Sequence, residues 1–231
     1  MKNILITGCS SGVGYAISEF FIKKGWRVLG LSRNISRLEK MKEDLGINFY
    51  SYPVDISDSD AVEKCFEMIK ISCKKIDLLV NNAGIFLSKP CDSLSIKDVD
   101  RVIDTNLKGL IYTTLLSLPL LRYGSRIVYI SSVSGQSGII NQSIYSASKF
   151  GVNGFFESIS QELQTRGILG TAICPGGINT ELWNPLNPYS NGSTKDLLQP
   201  MEMAKMVHML ASLPENMVIK NITTFPSIEW H

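Results

Sequence analysis

Lys2-Asn3-Ile4-Leu5-Ile6-Thr7-Gly8-Cys9-Ser10-Ser11-Gly12-Val13-Gly14 decides the fold: a short apolar run breaks into glycines, and a helical pattern follows with Ile17, Phe20 and Phe21 on one face. The pattern predicts a strand, a tight turn and a helix. Glycines give such a turn unusual backbone angles and let the main chain approach a ligand closely, while free N–H groups at the helix start attract a phosphate. The spacing is G-x-x-x-G-x-G and differs from the G-x-G-x-x-G of many dinucleotide-binding turns. A plain strand-to-helix connection would look similar. The place of these glycines, directly after an apolar strand at the N-terminus, favours nucleotide binding.

Arg27-Val28-Leu29-Gly30-Leu31-Ser32 reads as a second strand, running into Arg33-Asn34. In a dinucleotide fold the residue about 20 positions past the glycines meets the adenosine ribose, with an acidic side chain for NAD or a nearby Arg for the 2′-phosphate of NADP. Ser32 fills the acidic slot and Arg33 follows it, so NADP(H) is expected ahead of NAD. A charge-assisted hydrogen bond of about 1.5–3 kcal/mol would favour the phosphorylated cofactor roughly ten- to hundredfold. A solvated loop arginine is the plain alternative.

Helix and strand patterns alternate from there to the end. Helices are predicted over Ile35 to Leu45, Ser59 to Ile71 with Ser57 or Asp58 as cap, Ile96 to Leu118, Ile144 to Arg166 and Met201 to Leu213. Strands are predicted over Asn48 to Val54, Ile76 to Val80, Arg126 to Ile130, Leu169 to Cys174 and Val218 to Thr224. Such alternation builds an α/β fold, a doubly wound parallel sheet in three layers with helices on both faces. No linker, repeat or low-complexity stretch divides residues 1–231, so a single domain is expected.

A chain of 231 residues is long enough to bury about 70% of its unfolded surface. Hydrophobic residues at 44% and charged residues at 19% are an ordinary globular profile. A net charge of +2, with the basic residues scattered, gives no nucleic-acid surface. The N-terminus, with Lys2 and a few apolar residues before Thr7, lacks the regions of a secretory signal. The longest apolar stretch, Leu110 to Leu121, falls far short of the ~20 residues of a membrane span and contains Tyr112, Thr113, Thr114, Ser117 and Pro119. Five cysteines, at 9, 65, 73, 91 and 174, follow no metal-ligand spacing. The expectation is a reduced, cytoplasmic protein with no metal site and no membrane partner.

Tyr145-Ser-Ala-Ser-Lys149 places a phenol and an ammonium four residues apart, on one face of the helix predicted from Ile144. A free tyrosine titrates near pH ~10, so proton exchange near neutrality requires lowering its pKa by roughly three units, about 4 kcal/mol. A cation about 4 Å from the phenolate supplies roughly that at an intermediate dielectric. The expectation is that Lys149 lowers the pKa of Tyr145. Taken alone, the pair could equally be surface residues of a serine-rich helix start.

With these motifs in order along nearly its whole length, the chain resembles the short-chain dehydrogenase/reductases. Thr7-Gly8-Cys9-Ser10-Ser11-Gly12-Val13-Gly14 is similar to that family's T-G-x-x-x-G-x-G cofactor turn, and Asn81-Asn82-Ala83-Gly84 to its N-N-A-G motif. Asn106, Ser132, Tyr145 and Lys149 fall on its catalytic tetrad with the S-x12-Y-x3-K spacing, and Pro175-Gly176-Gly177-Ile178-Asn179-Thr180 resembles its P-G-x-x-x-T segment. The resemblance implies a Rossmann fold and cofactor contacts from Gly8, Ser10, Ser11, Gly12, Val13, Gly14, Ser32, Arg33, Asp55, Ile56, Asn82, Ala83, Gly84, Tyr145, Lys149, Pro175, Gly176, Ile178 and Thr180. Plain readings stand beside these: Ser132 as a strand-end cap, Asn106 as a buried amide with a structural partner, Asp55 and Thr180 as turn residues.

What the resemblance implies chemically is a reversible hydride transfer between NADP(H) and a small carbonyl or secondary alcohol, as in a carbonyl or keto reductase. Tyr145 would exchange the proton, Ser132 hold the substrate oxygen, Lys149 tune the phenol, and Asn106 place a water that links Lys149 to solvent. The substrate walls would come from Ser134 to Gln142 and from a lid at 181–198 carrying Trp183, Pro185, Pro188, Tyr189 and Lys195. The ending Pro226-Ser227-Ile228-Glu229-Trp230-His231 lacks the glycine-rich close common among 3-oxoacyl-acyl-carrier-protein reductases of the family. The alternative is a catalytically silent NADP-binding regulator or scaffold. A homodimer or homotetramer, paired through the two long helices, is also implied.

Overall fold

The computed structural model describes residues 1–182 and 196–229. Trp183, Pro185, Pro188, Tyr189 and Lys195 lie outside them, as do the last two residues.

Seven strands form one parallel sheet: β1 (Asn3–Thr7), β2 (Arg27–Ser32), β3 (Phe49–Pro53), β4 (Ile76–Asn81), β5 (Leu121–Ile130), β6 (Leu169–Pro175) and β7 (Asn221–Thr224). Their order is β3-β2-β1-β4-β5-β6-β7, with every neighbour parallel. The order reverses between β1 and β4, and a crevice opens there at the carboxyl ends of the strands.

Both sheet faces are buried, so the central strands read as unbroken apolar runs. Ile4 and Ile6 of β1 point to one core, and Leu5 points to the other. On the first side pack α1 (Gly12–Lys23), α2 (Ile35–Leu45) and α7 (Pro200–Ala211), through residues such as Phe21, Met41 and Val207. On the second pack α3 (Ser59–Ser72), α5 (Gly109–Ser117) and α6 (Ser143–Gln164), through Phe66, Leu110 and Phe156, while α4 (Ile96–Ile103) leads into α5.

The starts of several helices are set by side chains that satisfy first-turn amides. Asn34 accepts from Arg37 N at the start of α2, and Asp58, rather than Ser57, accepts from Ala61 N at the start of α3. Ser95 and Asp98 form a reciprocal capping box on α4. The helix expected over Ile96 to Leu118 is one rod with a π turn, Asp104–Lys108, set between α4 and α5. β5 begins at Leu121, five residues before the expected Arg126, because Leu121 pairs with Ile76 ahead of a register shift. β7 begins at Asn221 rather than Val218. No helix among the described residues is long and apolar enough to cross a membrane.

Candidate active site

The end of β1 and the end of β4 are tied together where the crevice opens. Thr7 Oγ1 accepts from the main-chain N–H groups of Asn82 and Ala83, both at 3.0 Å. Asn82 Nδ2 returns two bonds, to Thr7 O at 3.0 Å and Gly8 O at 3.2 Å. Asn81 faces the other way, into buried bonds with Thr113 and Thr114 of α5. Gly8 sits at φ +66°, and a Cβ on Gly14 would lie 2.2 Å from the Gly8 carbonyl oxygen, so the turn closes only without those side chains.

Ser11 precedes α1 in extended geometry with no side-chain cap, and the first turn carries no acidic residue. The first-turn amides are therefore left for an outside acceptor, which fits a phosphate group of a dinucleotide. Further along, Ser10 and Ser32 hydroxyls meet at 2.6 Å. Arg33 reaches Asp55 at 3.5 Å across the mouth, with both side chains well exposed. Asp55 is itself held by the N–H and hydroxyl of Ser57. Arg37 makes two bonds to Glu181, at 2.8 and 3.2 Å, joining α2 to the chain beyond β6.

Tyr145 and Lys149 share one buried face of α6. Lys149 Nζ lies 5.8 Å from the centre of the tyrosine ring and donates to Ile130 O at 2.9 Å. Phe86 packs edge-on against the Tyr145 ring, with centroids 5.0 Å apart. Burial pushes the phenol up to about 12, against the downward pull of its hydrogen bond with Ser132. Burial likewise brings Lys149 down to about 8. In the ligand-free protein burial therefore acts against the lowering expected of Tyr145, and the hydrogen bond of the Lys149 amine goes to a carbonyl.

Asn106 lies in the π turn and is fully buried. Its Oδ1 accepts from Ile85 N at 2.8 Å, and its Nδ2 donates to Ile85 O at 2.9 Å and Ser148 Oγ at 3.1 Å. Ser148 in turn donates to Tyr145 O at 2.7 Å. Its amide thus braces the loop after β4 against α6.

The cleft has a volume of about 590 Å³. Ser132, Tyr145 and Lys149 line it, together with Gly8, Ser10, Ser11, Gly12, Val13, Ser32, Arg33, Asp55, Ile56, Asn82, Ala83, Gly84, Gly176, Ile178 and Thr180. Gly14, Asn106 and Pro175 stand behind the lining: Gly14 under the turn, Pro175 in β6 paired to Thr224. Sequence reasoning missed Phe86, Phe225 and Ile228, which reach the cleft from a loop and from the C-terminal stretch. Their one signal is apolar character in segments without strand or helix periodicity.

A cleft at the strand-order reversal of a doubly wound parallel sheet defines the Rossmann class of α/β proteins. A family model described as short chain dehydrogenase matches residues 2–191. Serine 3-dehydrogenase of Agrobacterium fabrum is 32% identical over 232 residues, spanning 96% of this chain and 93% of that enzyme. The NADP-dependent 3-hydroxy acid dehydrogenase of Escherichia coli K12 is 30% identical over 233 residues, spanning 96% and 94%. The solved closed form of a serine dehydrogenase complexed with NADP+ aligns with a TM-score of 0.90 at 28% identity, covering 99% of this chain and 96% of that one. The chain belongs to the short-chain dehydrogenase family.

Proposed function

We propose that this oxidoreductase uses NADP(H) to interconvert a small carbonyl compound and its secondary alcohol, with Tyr145 as the proton-exchanging group. The observation that carries the proposal is a buried tyrosine and lysine on one helix face, lining the same cleft as the glycine turn and Arg33. NADP(H) is the cofactor. Gly8, Ser11, Gly12 and Val13 would hold its phosphates, Arg33 its 2′-phosphate and Asp55 with Ile56 its adenine, while Ile178 and Thr180 would border the nicotinamide. When bound, it supplies or accepts the hydride.

The chain's own residues orient the substrate and move the proton. Ser132 Oγ accepts from Ser134 N at 3.1 Å, which leaves the hydroxyl hydrogen free to point toward a substrate oxygen or the phenol. A Tyr145 pushed up to about 12 is protonated at neutral pH and ready to donate in the reductive direction. In the oxidative direction the phenol must first lose that proton, and Lys149 is the cationic side chain placed to favour it. Phe86, packed on the phenol, and Ile85 exclude water from this end.

The walls around Tyr145 support a neutral substrate. Phe86, Val133, Ile139, Leu182, Phe225 and Ile228 are apolar, and Lys149 is the one cationic side chain at this end among the described residues. The matched relatives are named for serine and for hydroxy acids, so these compounds belong in the same test. NADPH oxidation over ketones, aldehydes, keto esters and 3-oxo acids, with NADP+ reduction over serine and 3-hydroxybutanoate, should find the best kcat/KM among the neutral carbonyls. Best turnover on the acids would replace that substrate class. NADPH binding without turnover on any member would favour the silent regulator, for which no structural feature speaks.

Residues 1–231 would act as one domain, within a homodimer or homotetramer. Ile96, Leu115 and Phe150, on the long helices, leave apolar surface exposed for such pairing. The fully reduced cysteines, four of them buried, agree with a cytoplasmic setting.

A further inference from the structure

Gln142 precedes α6, three residues before Tyr145, and lines the cleft while only 3% exposed. Its main chain is pinned on both sides. Gln142 N donates to Ile139 O at 3.0 Å, and Ser146 N donates to Gln142 O at 2.7 Å. The preceding Asn141 stands at φ +63°, a left-handed turn that Lys89 N secures by donating to Asn141 O at 2.6 Å. The side chain is aimed as well: its Oε1 accepts from Ser134 Oγ at 2.9 Å.

That bond leaves the amide nitrogen. Gln142 Nε2 has no hydrogen-bond partner among the described residues, although the side chain is almost wholly buried. The nitrogen is not one of the sealed, partnerless polar atoms of the chain, so it opens on the cleft, where a ligand oxygen can meet it. Val133 and Ile139 line the cleft as well, together with the polar side chains of Ser132, Ser134 and Tyr145.

We propose that Gln142 is a specificity-determining residue, whose Nε2 donates to a second, uncharged oxygen of the substrate beside the one that Ser132 and Tyr145 hold. Gln142 is the cap residue of α6 and Tyr145 the third residue of the helix, and both line the cleft, a placement suited to two oxygens on carbons separated by one methylene. The substrate class is then a 3-oxo ester, 3-oxo amide or 1,3-diketone in preference to a simple ketone. This rests on the cleft being the carbonyl site, and it adds the feature by which one carbonyl is chosen over another. A donor held in place beforehand loses little freedom on binding, which makes the discrimination effective.

The test measures ligand binding, so that it stands apart from turnover. Tyr145→Phe protein loaded with NADP+ is titrated calorimetrically with ethyl 3-hydroxybutanoate and with 2-hexanol, which lacks the ester oxygens. The hydroxy ester should bind about tenfold tighter, the worth of one well-placed hydrogen bond. Gln142→Leu, added to that protein, should cut the preference to about twofold or less. Gln142→Glu keeps the shape and the bond from Ser134 but turns the donor into an acceptor, and it should abolish the preference. If the leucine variant fails to fold, the glutamate variant alone decides. Equal affinity for the two alcohols in the parent protein, or a preference that survives both substitutions, would overturn the proposal. Absence of turnover on every carbonyl would instead remove the function proposed above and leave this comparison intact.

Discussion

The two ends of the cleft are built from different materials. At the glycine turn the surface is main chain, closed by bonds between Thr7, Gly8, Asn82 and Ala83 and by the want of a Cβ on Gly14. Around Tyr145 the surface is side chains, brought by α6, by the loop after β4, by residues 133–142 and by the C-terminal stretch. A main-chain surface tolerates many sequences so long as the backbone path is kept. A side-chain surface can be retuned one residue at a time, as its chemistry depends on burial and aim more than on backbone shape. The first end therefore suits a constant ligand and the second a variable one.

The sharpest way to break this contrast is Tyr145→Phe, which removes one oxygen from the side-chain end. Turnover should fall at least about a thousandfold, in keeping with the loss of a positioned acid–base group, while NADPH affinity, read by fluorescence titration, stays within about threefold. Retention of most activity would mean that another group handles the proton. Next in size is Gly14→Ala at the opposite end, where the added methyl would sit 2.2 Å from the Gly8 carbonyl oxygen. We expect a loss of about 2–4 kcal/mol in denaturant unfolding together with weakened cofactor binding. An unchanged midpoint would show that the turn can shift to admit a side chain.

Arg33→Ala removes a cationic side chain that lines the main-chain end of the cleft. Its Kd for NADPH should rise roughly ten- to hundredfold while that for NADH barely moves, the worth of a charge-assisted bond made at an exposed site. Parallel changes for both cofactors would assign the phosphate to another group. The smallest expected effect concerns Lys149, which ionises at about 8 in the folded chain against 10.5 as its ordinary value. Its burial costs stability in full below the folded pKa, and the cost fades as pH climbs toward the unfolded one, because only the unfolded chain then keeps the extra proton. Between about pH 8 and about pH 9.5 the wild type should gain about 1–2 kcal/mol relative to Lys149→Met in denaturant unfolding. A flat difference would mean that the ammonium bound to Ile130 stays charged throughout.

The same contrast governs what could be read in advance. The strand, glycine turn and helix of the first end are consecutive residues, so their order carries the geometry, and α2 runs from Ile35 to Leu45 as expected. Tyr145 and Lys149 were legible because helical spacing puts them on one face. Where the amine points was not: its bond to Ile130 depends on a strand nineteen residues earlier in the chain. Phe86 packs on Tyr145, and Phe225 and Ile228 reach the same cleft, across long stretches of sequence, and no local pattern announces such a meeting. Residues 122–124 hid the start of β5 because Arg122-Tyr123-Gly124 has no apolar alternation.

Ser134 gives its N–H to Ser132 and its hydroxyl to Gln142. One small residue thus steers two neighbours, as a tiller moves a rudder on either hull. A lineage drifting toward new compounds by altering this serine would release Gln142 while the main-chain bond to Ser132 stays, whereas Ile139 or Leu182 could be exchanged with both bonds left alone. Innovation in this pocket has an easy route and a hard one, and they part at a single hydroxyl group.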